Sequence, residues 1–209
     1  ISAREVATTT PLIVSVRLKA GEPLGERELR VQPIVVQRGD GLPVRSRTIH
    51  TDQFHVGEEA WYDFPIMPYP DARKGAYDIS IRWLDGEEEV IAGRIKVPLD
   101  EAPSASAQIA SLSGGIGVEL LNQPLTGCIG VTNTVTITWH GGDPVALDYS
   151  AFVHLRDEAG NVIAQHDGQP RNGSYPTSVW SKGEVIPDGH AVAIPAEVAP
   201  GAYAIVVGL

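Results

Sequence analysis

Apolar and polar residues alternate with a period of two along most of this chain, and the spacing of an amphipathic helix is almost absent. Leu12–Leu18, Leu29–Gln32, Ile34–Val36 and Val90–Val97 have the alternating, β-branched character of strands, as do Val131–Trp139 and Tyr149–Leu155. Successive strand side chains point to opposite faces, so such alternation buries one face of a sheet. Turn chemistry falls between the runs, at Gly39-Asp40-Gly41, Asp85-Gly86, Asp157–Asn161 and Pro187-Asp188-Gly189. Proline cannot donate to a ladder and gathers at edges and turns, so 16 prolines and 22 glycines spread among short runs fit a sandwich.

Two stretches repeat each other. Gly57-Glu58 is followed eighteen residues on by Gly75-Ala76-Tyr77, and Gly183-Glu184 at the same distance by Gly201-Ala202-Tyr203. Each Gly-Ala-Tyr opens an alternating apolar run, Tyr77–Ile81 and Tyr203–Val207, and Gly21-Glu22-Pro23-Leu24 is answered by Gly142-Asp143-Pro144-Val145. Self-similarity of this kind predicts two copies of one β-rich module. The expected fold is all-β: two tandem Ig-like or fibronectin-like antiparallel β-sandwiches over 1–100 and 108–209, joined by a small, polar linker at 101–107. Copy one continues through Trp83-Leu84-Asp85-Gly86 into a closing strand near Val97, whereas copy two stops where that hairpin should begin. The second sandwich is therefore expected to lack its last strand or strands. The offset between copies is 119 at Gly41/Gly160 and 126 at Gly57/Gly183, which puts seven extra residues into the second copy, in the loop around Gln165–Pro176. Long loops on a rigid scaffold are where binding concentrates.

Composition narrows the function classes. Sixteen Lys and Arg against 26 Asp and Glu give a net charge of −10, a field that repels phosphate backbones and argues against nucleic-acid binding. No run approaches the roughly 20 apolar residues of a membrane span. The single cysteine, Cys128, excludes an intramolecular disulfide and reads as a small buried hydrophobe. The chain opens at Ile1 and stops within a strand at Leu209, which reads as a piece of something longer, with any targeting or anchoring segment outside it.

In the second copy, Phe152-Val153-His154-Leu155, Asp157 through Gly160, Gln165–Pro170, Tyr175–Trp180, Gly183-Glu184 and Pro200-Gly201-Ala202-Tyr203 follow one another in a recognisable order. Together they resemble the soluble C-terminal β-sandwich region of polytopic bacterial glycosyltransferases of the dolichyl-phosphate-mannose mannosyltransferase-like kind, across residues 115–209. The resemblance implies an extracytoplasmic, non-catalytic place beside a membrane or cell-surface enzyme. The family's active site lies in its membrane-embedded half, so no catalytic residue carries over.

The candidate ligand-binding residues are His166, Asp167, Arg171, Asn172 and Tyr175 of the long loop, with Trp180 just after it. An aromatic face beside Asp, Asn and Arg is what sugar recognition needs, since the ring packs on a pyranose while polar groups read its hydroxyls. The same residues also read structurally: Asp167-Gly168 and Asn172-Gly173 as turn dipeptides, Trp180 as a plug of the sandwich. No metal site is assigned: no histidine pair has zinc spacing, and although the turn carboxylates Asp40, Asp157, Glu158 and Asp188 could converge on calcium, they follow no calcium-loop pattern. No cofactor and no catalytic residue is expected either. The sequence thus reads as a non-catalytic accessory or interaction module with a glycan or a surface protein as partner; the alternative is a carbohydrate-binding module using the 165–180 loop.

Overall fold

The computed structural model describes residues 4–5, 11–21, 26–35, 46–50, 54–66, 72–101, 109–119 and 125–209. Residues 102–107 of the expected 101–107 linker, the Gly39-Asp40-Gly41 turn and Glu22-Pro23-Leu24 of the upstream repeat lie outside the described residues. Among the described residues there is no α-helix, and the chain divides into two compact units, Ile1–Pro98 and Leu99–Leu209.

Unit 1 holds β1 (Arg4–Glu5), β2 (Leu12–Lys19), β3 (Glu26–Val35), β4 (Ser46–His50), β5 (Glu59–Ile66), β6 (Gly75–Trp83) and β7 (Glu89–Val97). One sheet runs β1-β7-β6-β3-β4 and the other pairs β2 with β5. All pairings are antiparallel except β1 with β7. Val16, Phe64 and Ile66 of the small sheet share one core with Leu29, Val31, Ile49, Tyr77, Ile79, Ile95 and Val97 of the large one. The two sheets therefore bury facing sides, as alternation requires.

Unit 2 holds β8 (Ile109–Ser111), β9 (Gly117–Glu119), β10 (Thr132–His140), β11 (Ala151–Arg156), β12 (Val162–Gly168), β13 (Val185–Ala193) and β14 (Ala204–Gly208). Its sheets run β13-β10-β9-β8 and β12-β11-β14. Among the described residues nothing pairs with the outer edge of β14, the position that β7 occupies beside β6 in unit 1.

The duplication is visible in the hydrogen bonds. Leu12 faces Ile66 and Lys19 faces Glu59 across β2 and β5, while Asn133 faces Val192 and His140 faces Val185 across β10 and β13, the same register at offsets of 121 and 126. The turn before β5 repeats before β13. The Gly57 amide donates to the Ala20 carbonyl and the Gly183 amide to the Gly141 carbonyl, both at 2.7 Å. Gly57 and Gly183 adopt φ of 87° and 78°, a region that penalises any Cβ. In both turns the following glutamate reaches back: Glu58 accepts the His55 amide and Glu184 the Ser181 amide. Finally, the Tyr77 hydroxyl donates to the Arg73 carbonyl and the Tyr203 hydroxyl to the Ala199 carbonyl, each at 2.7 Å.

Register also relocates the insertion. With Tyr77 equivalent to Tyr203, the β3–β6 and β11–β14 ladders make Ile34 equivalent to Arg156, and the next hairpin makes Ser46 equivalent to Asp167. The offset there is 121, so the second copy is longer by five residues, not seven, and the excess falls after the last paired residue of β12, within 169–182. Aligning Gly160 with Gly41 overstated it, because a turn glycine can shift within a hairpin while a ladder cannot. Gly41 itself lies outside the described residues.

Candidate functional site

β13 alternates from Asp188 onward: Ile186, Asp188, His190 and Val192 are all buried, Val185 is buried and Pro187 half-buried on the other side, and Gly189, Ala191 and Ala193 are exposed. Two titratable side chains thus stand in an otherwise apolar inward row. Pro187-Asp188-Gly189 forms no turn; it is mid-strand, where Asp188 pairs with Ile137 of β10.

The Asp188 carboxylate is 1% exposed and gathers three donors. Trp139 Nε1–H from β10 donates to Oδ2 at 3.1 Å, His190 Nε2 lies 2.9 Å from the same oxygen, and the Arg171 backbone amide donates to Oδ1 at 2.8 Å. Burial pushes this carboxyl up, but the bonds from His190, Arg171 and Trp139 outweigh it and hold the group below the usual aspartate value. A carboxylate opposite Nε2 fixes a hydrogen there. The other ring nitrogen of His190, Nδ1, lies 3.0 Å from Nδ1 of His166 on β12, the rings meeting edge to face. One hydrogen serves that contact, so one ring donates while the other accepts.

The loop after β12 folds onto this cluster. Two 3₁₀ turns, Pro170–Gly173 and Thr177–Val179, shape it. Arg171 and Asn172 both sit at φ 54°, a left-handed conformation costing on the order of 1–2 kcal/mol per non-glycine residue. Asp188 offsets this by holding the Arg171 amide, and Arg171 Nη1 donates to the Pro187 carbonyl at 2.8 Å. Farther along, Thr177 Oγ1 donates to the Leu147 carbonyl and accepts the Tyr149 amide.

The six candidate residues therefore part company. Tyr175 is fully buried and Trp180 is 5% exposed. The Tyr175 hydroxyl donates to Glu184, the Trp180 indole N–H donates to the Tyr175 carbonyl, and the Trp180 ring lies 6.4 Å from that of Trp139. The expectation that these rings offer a sugar platform is corrected: burial takes both faces into the core. His166 and Arg171 join the Asp188 cluster. Asp167 faces the opposite side of its strand, with His154 Nε2 3.3 Å away, and Asn172 is exposed. Of the other readings, Cys128 is exposed rather than buried, its backbone bonded at both ends to the Asn133 side chain. Asp157 caps its own turn through the Asn161 amide and side chain, and among the described residues no three acidic, histidine or cysteine groups gather for a metal.

Chemically the cluster is a clasp. A general base needs a lone pair that a substrate can reach, whereas the Asp188 carboxylate is buried and each of its oxygens already holds a protein donor. Sequence reasoning missed Asp188 and His190 as partners. The available signal was their spacing of two, in phase with Ile186 and Val192.

The opposite kind of site lies in unit 1. The outward row of β5 carries Trp61, 65% exposed, with Arg17 directly across on β2 and its guanidinium carbon 5.8 Å from the ring centre. The sequence alone does not single out Trp61, because Trp61 and Tyr62 are adjacent and put an aromatic on each face of the strand. No family model matches this chain, and no curated protein matches it in sequence.

Proposed function

We propose that this chain is a non-catalytic, extracytoplasmic tandem β-sandwich module, the accessory or interaction region of a membrane-associated glycosyltransferase-like or cell-surface protein. The observation that carries the non-catalytic reading is the Asp188 clasp: the densest set of titratable groups described above is buried and bound to its own loop. Each unit is read as Ig-like or fibronectin-like on its tyrosine hydroxyl, which returns to a main-chain carbonyl four residues upstream as in the tyrosine corner of those folds. The extracytoplasmic placement rests on the sequence resemblance of residues 115–209.

Topology tests the placement. In the bacterium that makes the full-length protein, alkaline phosphatase and a fluorescent protein inserted separately at the exposed Glu158-Ala159-Gly160 turn should report opposite states: active phosphatase, dark fluorophore. A fluorescent insertion with silent phosphatase overturns the reading.

A further inference from the structure

We propose that the outward face of β2 and β5 in unit 1 binds an uncharged pyranose glycan, with Trp61 as the stacking platform. This inference rests on the reading of the chain as an interaction module and supplies its ligand class.

A tryptophan buries about 150–250 Å² when it packs, so an indole held two-thirds in water forgoes a large stabilisation. The ladder fixes what surrounds it. Arg17 is directly opposite, Glu59 and Asp63 flank the ring along β5 at about 7 Å, and Ser15 and Lys19 lie on the diagonals. All six side chains belong to exposed residues on one face. Five of them already touch one another: Ser15 Oγ donates to Asp63 at 2.6 Å, Arg17 lies 3.7 Å from Glu59, and Arg17 rests on the indole. An exposed cation–π contact contributes only about 0.5–1 kcal/mol, so a ligand can displace the guanidinium from the ring or share it.

The chemistry of that rim selects the ligand. The cores of protein interfaces are depleted in charged residues, because each charge loses its hydration there. Here every neighbour of the indole in the ladder is polar. A sugar replaces that lost water with its own hydroxyls while its apolar ring face covers the indole. Two cations, Arg17 and Lys19, balance two anions, Glu59 and Asp63, so the patch is neutral in a chain of net charge −10 and favours an uncharged sugar.

The experiment uses the full 209-residue chain and immobilised hexasaccharides of glucose, mannose, galactose and N-acetylglucosamine, with a hexauronate as the charged counterpart. At least one neutral oligomer should bind, and Trp61→Ala should weaken it by about tenfold or more, the loss of roughly 1.4 kcal/mol. Trp61→Phe should recover part of the affinity, and Asp63→Asn should alter the preference among the sugars. Because Trp61 faces outward, its variants should unfold at the wild-type temperature, which separates lost binding from lost folding. Exposed Ile109→Ala serves as the neutral control. Failure of every neutral oligomer to bind, selective binding of the hexauronate, or binding untouched by Trp61→Ala each overturns the site. A correct topology report with no sugar bound removes the site and leaves the module reading; sugar binding with a cytoplasmic report removes the placement and leaves the site.

Discussion

In unit 1 the inward row of β5 reads Ala60, Tyr62, Phe64, Ile66; in unit 2 the same row of β13 reads Ile186, Asp188, His190, Val192. Across the ladder from the first pair position, Leu18 in unit 1 becomes Trp139 in unit 2. The backbone register is unchanged, so these differences are purely chemical. They accompany the longer connection of unit 2, whose 169–182 stretch is five residues longer than its counterpart in unit 1. A long loop must be ordered against its conformational entropy. Asp188 does this by binding the strained Arg171 from below, and the Trp139 indole N–H supplies a further donor to the same carboxylate. The comparison teaches that the unit with the longer loop is the one whose core carries the polar pair that holds it.

Removing the clasp should have the largest effect. Asp188→Ala leaves the Trp139, His190 and Arg171 donors buried without an acceptor, a loss of about 3–5 kcal/mol confined to unit 2. Urea unfolding followed by peptide-resolved hydrogen exchange should show β10 to β13 opening earlier while β2 to β7 keep their midpoint; coincident midpoints in both units would refute the clasp. The charge on Asp188 has a pH signature as well. Its folded value is lowered, so its stabilisation is complete above the ordinary aspartate range, near about 3.9, and fades as pH falls through the lower folded value. An acid titration should therefore weaken unit 2 in that window, and Asp188→Asn should remove that slope.

Rewriting the row of unit 2 as that of unit 1 sharpens the comparison further. In the triple variant Trp139→Leu, Asp188→Tyr, His190→Phe, an apolar set replaces a buried polar one, a change that is often close to neutral in stability. Unit 2 should keep its register, within about 1.5 kcal/mol of wild type. Its loop should not stay ordered, because the Arg171 amide has lost its acceptor while φ remains left-handed. Hydrogen exchange at 170–180 should accelerate well beyond that of β10. Equal protection would mean that Thr177 and the buried Tyr175 hold the loop without Asp188.

What was legible in the sequence follows from which forces act locally. Gly57 and Gly183 could be read because a positive φ is a property of one residue and its turn. The alternation of Leu12–Leu18 and Val131–Trp139 could be read because it mirrors the pleat. Asp188 could not, since Pro-Asp-Gly is turn chemistry by composition and only the ladder with β10 keeps it extended. Trp180 could be read as a plug of the sandwich or as a sugar platform, and composition does not choose between them, while Tyr175 belongs to a polar, glycine-bearing stretch that reads as surface. Their burial depends on the loop folding back under Glu184, a tertiary event with no periodic trace.

The smallest effect compares the two tyrosines, a feature that both units share at equal geometry. Each hydroxyl lies 2.7 Å from its carbonyl, yet Tyr77 is 1% exposed while the Tyr203 bond faces solvent. Phenylalanine removes the same donor in both places. In unit 1 the abandoned Arg73 carbonyl and the vacated site are partly shielded, so Tyr77→Phe should cost about 1 kcal/mol. In unit 2 water can replace the hydroxyl, so Tyr203→Phe should cost roughly half as much or less. Two urea midpoints decide it. If the order is reversed, burial is not what sets the worth of this bond, and the equivalence of the two corners is one of shape alone.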